Sequence, residues 1–122
     1  FGLNKALIIQ ALIFSLVHIG FDMPVLEIIR ILFGLFLLGI LLAYMRFQDN
    51  NSIWGCIGLH GGLVGGWFIA NNGLIKISKD APAWLTGPGA INTNPLGGIV
   101  GIMLLIILCF FFRYKRKSPK NI

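Results

Sequence analysis

Residues 25–47 read VLEIIRILFGLFLLGILLAYMRF, and this stretch decides the fold class. As a helix these 23 residues extend about 34 Å at 1.5 Å per residue, long enough to cross a bilayer with some tilt. Only Glu27 and Arg30 interrupt the run near its start. They lie three apart on one helix face, where they can pair or snorkel. The whole chain agrees with this reading. Of its 122 residues 57% are hydrophobic and 11% charged, with a mean hydropathy of +0.86. A soluble domain is about 25% charged, so lipid is the expected solvent for most of this surface.

Working outward, Lys5 to Gly20 (KALIIQALIFSLVHIG) forms a shorter apolar segment. Asn4 is placed to cap it, and Gly20 with Pro24 to stop it. On the other side, the polar link Gln48–Ser52 leads into a third segment, Ile53 to Ala70. Trp54 and Trp67 there are 13 residues apart, a spacing that suits two interfacial anchors. A connection from Asn71 to Pro95 carries Lys76, Lys79, Trp84 and several Pro and Gly residues, which exclude one continuous helix. A fourth segment runs from Leu96 to Phe112. The expected fold is therefore all-α: a multi-pass transmembrane bundle of about four helices, one domain over 1–122, with a basic tail at 113–122.

The formal charge of +6 is concentrated after the fourth segment, at Arg113, Lys115, Arg116, Lys117 and Lys120. Positive charge in that place marks a cytoplasmic C-terminus. Four crossings then put Lys5 and the Gln48–Ser52 link inside, and the turn at Asp22 and the connection around Lys76 outside. No basic groove with aromatic platforms accompanies the charge, so nucleic acid is not an expected partner. The bilayer is. Cys56 and Cys109 lie inside apolar segments without a CxxC partner and read as small packing residues. No charged n-region precedes the first segment and no small-residue cleavage site follows it, so it does not read as a signal peptide. Because the chain opens on Phe1, it reads as the C-terminal portion of a longer protein.

Two patterns within the apolar segments point to function. Gly58, Gly62 and Gly66 repeat every fourth residue, with Gly61 and Gly65 beside them, and Gly97 and Gly101 echo the spacing. Such stripes let another helix backbone approach closely. Helix packing accounts for most of the pattern. The chain's two histidines, His18 and His60, both sit within apolar segments. Ionisable groups at membrane depth are costly and mark functional sites, although a neutral histidine also serves as interhelical glue. Phe14 lies one turn before His18 on the same face, where it walls a pocket. Asp22 follows in the turn and reads as solvated rather than as a partner of His18.

The run FSLVHI (14–19), the segment ending AYMRF, and SIWGCIGLHGGLVGGWF (52–68) together resemble the CPBP family of CAAX-processing proteases and bacteriocin-processing or immunity proteins, also called Abi. The family's FxxxH motif is matched by Phe14 and His18, and its later membrane histidine by His60. The resemblance implies an intramembrane endopeptidase acting on a membrane-associated peptide or protein. In it a glutamate activates water, His18 and His60 position that water or stabilise the oxyanion, and Phe14 shapes the pocket. Two departures stand out. The family's Glu-Glu-x-x-x-Arg stretch is absent, so the fragment alone is expected to be inactive, with its glutamates upstream. Val64 stands where the family carries a polar residue four after the histidine. The resemblance also places the chain in a bacterial plasma membrane.

Other readings stay open at this stage. His18 and His60 with glutamates resemble a His/carboxylate zinc set, although no HExxH accompanies them. A non-catalytic member would bind a partner or confer bacteriocin self-immunity. Two histidines on different membrane helices are also what a bis-histidine haem protein needs.

Overall fold

The computed structural model describes residues 2–18, 20–78, 80–88 and 93–117, with side chains as far as Tyr114. Lys79, Lys120 and the rest of the tail beyond Lys117 lie outside the described residues. All regular structure among the described residues is helical: α1 (Leu3–Val17), α2 (Val25–Gln48), α3 (Trp54–Ile69), the single turn α4 (Ala83–Thr86) and α5 (Ile99–Lys117). A π turn over Ala70–Leu74 ends α3, and a 3-10 turn over Pro95–Gly97 leads into α5.

The centre of the fold is α2, with 24 residues the one described helix long and apolar enough to cross a membrane. Its core side chains Leu38, Leu41 and Leu42 meet Leu105 of α5. On α1, the buried residues Leu7, Ala11 and Ser15 recur every fourth position and so form one face. That face lies on α2 at Gly39, where an added Cβ would come within 2.9 Å of Ala11 Cα. The two backbones approach this closely because position 39 has no side chain. The Gln10 side-chain amide donates to the Gly39 carbonyl at 3.3 Å across the same crossing.

At the far end of α2, a Cβ on Gly34 would overlap the Leu96 carbonyl, and one on Gly97 would press against Pro88 and Ile31. The loop before α5 is thus seated on α2 through glycines of both elements. At the near end, Asn50 and Asn51 adopt positive φ (52° and 65°), a region in which asparagine is enriched, and the chain reverses into α3. Ser52 Oγ and the Asp49 carboxylate accept from the backbone N–H groups of Trp54 (3.3 Å) and Gly55 (3.2 Å), satisfying donors of α3's first turn.

Several sequence expectations change in detail. Gly2, not Asn4, precedes the first helical residue, because the helix already begins at Leu3. The fourth segment starts at Ile99, since Asn94 accepts from Leu96 N–H and holds Pro95–Gly97 in a tighter turn. It continues to Lys117, so the first part of the basic tail is helical. Lys and Arg favour helices and suit a helix C-terminus, and the next strong breaker is Pro119. The glycine stripe of α3 is the largest difference. Cβ atoms at Gly58, Gly61, Gly62, Gly65 and Gly66 would meet nothing within 4 Å. No residue of α3 is buried. Close approaches do fall on Gly97 and Gly101, as their spacing suggested, and also on Gly34 and Gly39, where backbone or side-chain atoms fill the space.

Candidate functional site

His18 terminates α1, and His60 lies near the middle of α3, 42 residues later in sequence. The fold brings their rings to a centroid separation of 6.2 Å. Phe14 stands against both, 4.3 Å from the His18 ring and 5.9 Å from the His60 ring, the latter edge-on at 89°. Each contact follows from the backbone. Phe14 and His18 share a face of α1, and the Ala11–Gly39 crossing sets the height of that face on α2.

Height along α2 can be counted from these contacts. His18 is seven residues beyond Ala11, which lies against Gly39, and α1 runs antiparallel to α2. His18 is therefore about level with Leu32. The Cys56 thiol reaches the Leu42 carbonyl at 3.1 Å, so His60, four residues on, is about level with Leu38. The pair thus brackets the middle of the 24-residue helix.

Hydrogen bonding distinguishes the two rings. His18 Nδ1 lies 2.7 Å from the Phe14 carbonyl oxygen. A carbonyl only accepts, so His18 Nδ1 carries the proton and, in the neutral ring, Nε2 presents a lone pair. The ring nitrogens of His60 make no hydrogen bond among the described residues, and its ring lies against the rings of Phe14 and His18. Asp22 is exposed and does not orient His18. The backbone carbonyl of Phe14 does. Sequence reading missed that contact, although the four-residue spacing that found Phe14 also places its carbonyl under the histidine ring.

The remaining candidates are placed as follows. Val64 is 58% exposed on the open face of α3. Asn72 donates to the Phe68 carbonyl at 2.8 Å, as a helix-terminal residue would. Trp54 is 76% exposed, whereas Trp67 packs inward and donates its indole N–H to the Thr93 carbonyl at 2.9 Å. Among the described residues no group of three or more His, Cys, Asp or Glu side chains comes together. His18 and His60 alone fall short of the three protein ligands of a catalytic zinc site.

Over residues 1–65 the chain matches the family model described as type II CAAX prenyl endopeptidase Rce1-like. The match spans more than half the chain and contains Phe14, His18 and His60. This is a membrane-embedded protease class. The chain belongs to the Rce1-like family. No curated protein and no solved structure matches it.

Proposed function

We propose that the chain forms the histidine-bearing part of a multi-pass intramembrane endopeptidase. The observation that carries this reading is the meeting of His18 and His60, from separate helices, beside the middle of the one described helix long and apolar enough to cross a membrane. Supporting the membrane setting, Ile8, Leu12, Ile13, Leu16 and Val17 of α1, and Val100, Leu104, Ile107 and Phe110 of α5, all point outward. So much apolar surface is favourable only against lipid or another apolar partner. In this reading α1, α2, α3 and α5 each cross, with the basic end of α5 cytoplasmic in a bacterial plasma membrane.

The chemistry divides between the two rings. A glutamate from a helix preceding this chain takes the proton of the attacking water. Nε2 of His18, its lone pair free because Nδ1 donates to Phe14 O, accepts a hydrogen bond from that water and holds it in line. His60 is free to turn an N–H toward the carbonyl oxygen and stabilises the oxyanion as charge develops. Phe14 packs against both rings and keeps them from collapsing onto each other.

The test uses the protein expressed from its complete reading frame, in bilayers, with a prenylated CAAX peptide. His18→Ala and His60→Ala should each lower kcat/KM by about 10²-fold or more, the cost of losing a positioned acid–base or oxyanion group. Circular dichroism should show both variants folded. Cleavage that persists in both overturns the reading. A second reading, a binding protein of the bacteriocin self-immunity kind, is favoured by one observation: no carboxylate stands with the histidine pair among the described residues. Binding of a membrane peptide that survives in folded protein without turnover selects it.

A further inference from the structure

The two ends of the bundle differ in charge. The Gln48 side-chain amide donates to the Phe112 carbonyl at 2.6 Å, which ties the end of α2 to the end of the apolar part of α5. Arg46 and Arg113, both exposed, therefore stand at the same level. Beyond them α5 continues as helix through Lys115, Arg116 and Lys117. The start of α1 arrives at this end too. Counted from the Ala11–Gly39 crossing, Lys5 lies about 9 Å and Arg46 about 10 Å toward it. Six cationic positions from three helices thus gather where the described residues hold a single carboxylate, Asp49, which is already engaged by the Gly55 N–H. At the opposite end the described residues include the acids Asp22, Glu27 and Asp80 and the cations Arg30 and Lys76, close to neutrality.

We propose that this end is a belt that binds anionic phospholipid headgroups. The inference rests on the membrane setting and not on catalysis. Three features make lipid the fitting occupant rather than an acidic protein. As positions on a helical backbone of 3.6 residues per turn, 113, 115, 116 and 117 span little more than one turn and do not share one register stripe of α5. A protein groove would meet one face; headgroups surround a helix. The cations begin with Arg113, directly after the last residue of the apolar run, Phe112, the depth at which headgroups lie. Tyr44 and Tyr114 accompany them, two turns or less from the charges, as aromatic residues do at the interface.

The test is independent of protease activity. The full chain, purified in neutral detergent, is titrated with phosphatidylglycerol or with phosphatidylcholine of the same acyl chains, and retained lipids are counted by native mass spectrometry. Phosphatidylglycerol should be retained preferentially, and 0.5 M salt should weaken that preference, as expected of screened charge. Each cation near an anionic surface contributes about fivefold to partitioning, so Arg46→Gln with Arg113→Gln should weaken retention about 25-fold. Lys115→Gln with Arg116→Gln should do the same. Lys76→Gln, at the opposite end, should change nothing. Equal retention of the two lipids, or an equal loss from Lys76→Gln, overturns the proposal. So does saturable binding of polyglutamate without lipid preference, which would make this end a protein-docking surface. A failure of the histidine variants to affect cleavage would leave this result unchanged, and the reverse also holds.

Discussion

Gly39→Ala and Gly62→Ala are the same chemical change in two helices, and they should have opposite effects. At position 39 the new methyl lies 2.9 Å from Ala11 Cα and 3.1 Å from Ala11 Cβ. Carbon atoms rest about 3.5–4.0 Å apart, so α1 must withdraw from α2 by about 0.6–1 Å. Overpacking of this kind costs about 1–3 kcal/mol. At position 62 the methyl meets nothing within 4 Å, so only the helix-propensity gain of about 1 kcal/mol remains. The same gain applies at position 39 and cancels in the comparison. The two variants should therefore differ by about 1–3 kcal/mol, with Gly62→Ala the more stable. The assay is unfolding in mixed micelles with increasing dodecyl sulfate, followed by circular dichroism. If Gly62→Ala loses as much stability as Gly39→Ala, the argument fails and the α3 stripe is packed after all. Activity supplies a second readout. Phe14 and His18 ride on α1, and a displacement of about 1 Å at reacting groups costs up to about 10²-fold, so Gly39→Ala should lose turnover beyond its loss of stability.

Trp67→Phe removes the indole donor to the Thr93 carbonyl and should destabilise by about 1 kcal/mol, read as a lower unfolding midpoint in the same titration. Gly87→Ala places a side chain at φ 99° and against the Asn94 carbonyl. Strain of this kind costs about 1–3 kcal/mol before any overlap is counted, so its unfolding midpoint should fall further than that of Trp67→Phe. Phe14→Ala leaves the backbone bond to His18 intact but removes the ring that touches both histidines. With aromatic contacts worth about 0.5–1.5 kcal/mol, kcat/KM should fall by about tenfold, and less than in the histidine variants.

The elements that the sequence made legible are those whose signal is local. Residues 25–47 are long, apolar and free of breakers, and they appear as α2 with a shift of one residue at its C-terminal end. Phe14 and His18 were legible as a pair because four residues make one helical turn. Their meeting with His60 was legible only through the family resemblance, since a contact across 42 residues leaves no mark in local periodicity. Among the glycines, Gly97 and Gly101 do lie at close approaches, but the α3 stripe misled for a related reason. Spacing says that a close approach is possible, not where a partner stands. The dense repeat on α3 faces open space, while isolated Gly34 and Gly39 lie at backbone contacts. The end of the fourth segment was misplaced because hydropathy stops at Phe112 while helix propensity continues through the lysines and arginines.

The two histidines are held in different ways, and this bears on how the proposed reaction is divided between them. His18 is fixed by its own helix: Phe14 supplies both the carbonyl that sets its tautomer and the ring against its face, and α1 is clamped at Gly39. His60 rides on a helix without one buried residue. Its polar anchors are at the ends, through Asp49 and Cys56 at the start and Trp67 at the finish, and Leu59 and Leu63 pack on the core between them. Gly58, Gly61 and Gly62 leave the outer face of that turn bare, and the ring itself makes no hydrogen bond among the described residues to fix its rotation. A rigid acceptor opposite an adjustable donor is a useful arrangement for hydrolysis. The water must be held before reaction begins, whereas the oxyanion donor is needed only as the carbonyl oxygen moves out of plane. The bare glycine surface beside His60 also lets an extended peptide backbone come close, since no Cβ keeps it away. Stiffening that turn with Gly61→Ala and Gly62→Ala together should therefore raise stability and lower kcat in the same protein. A double variant that gains stability and keeps full turnover would show that His60 needs no such freedom.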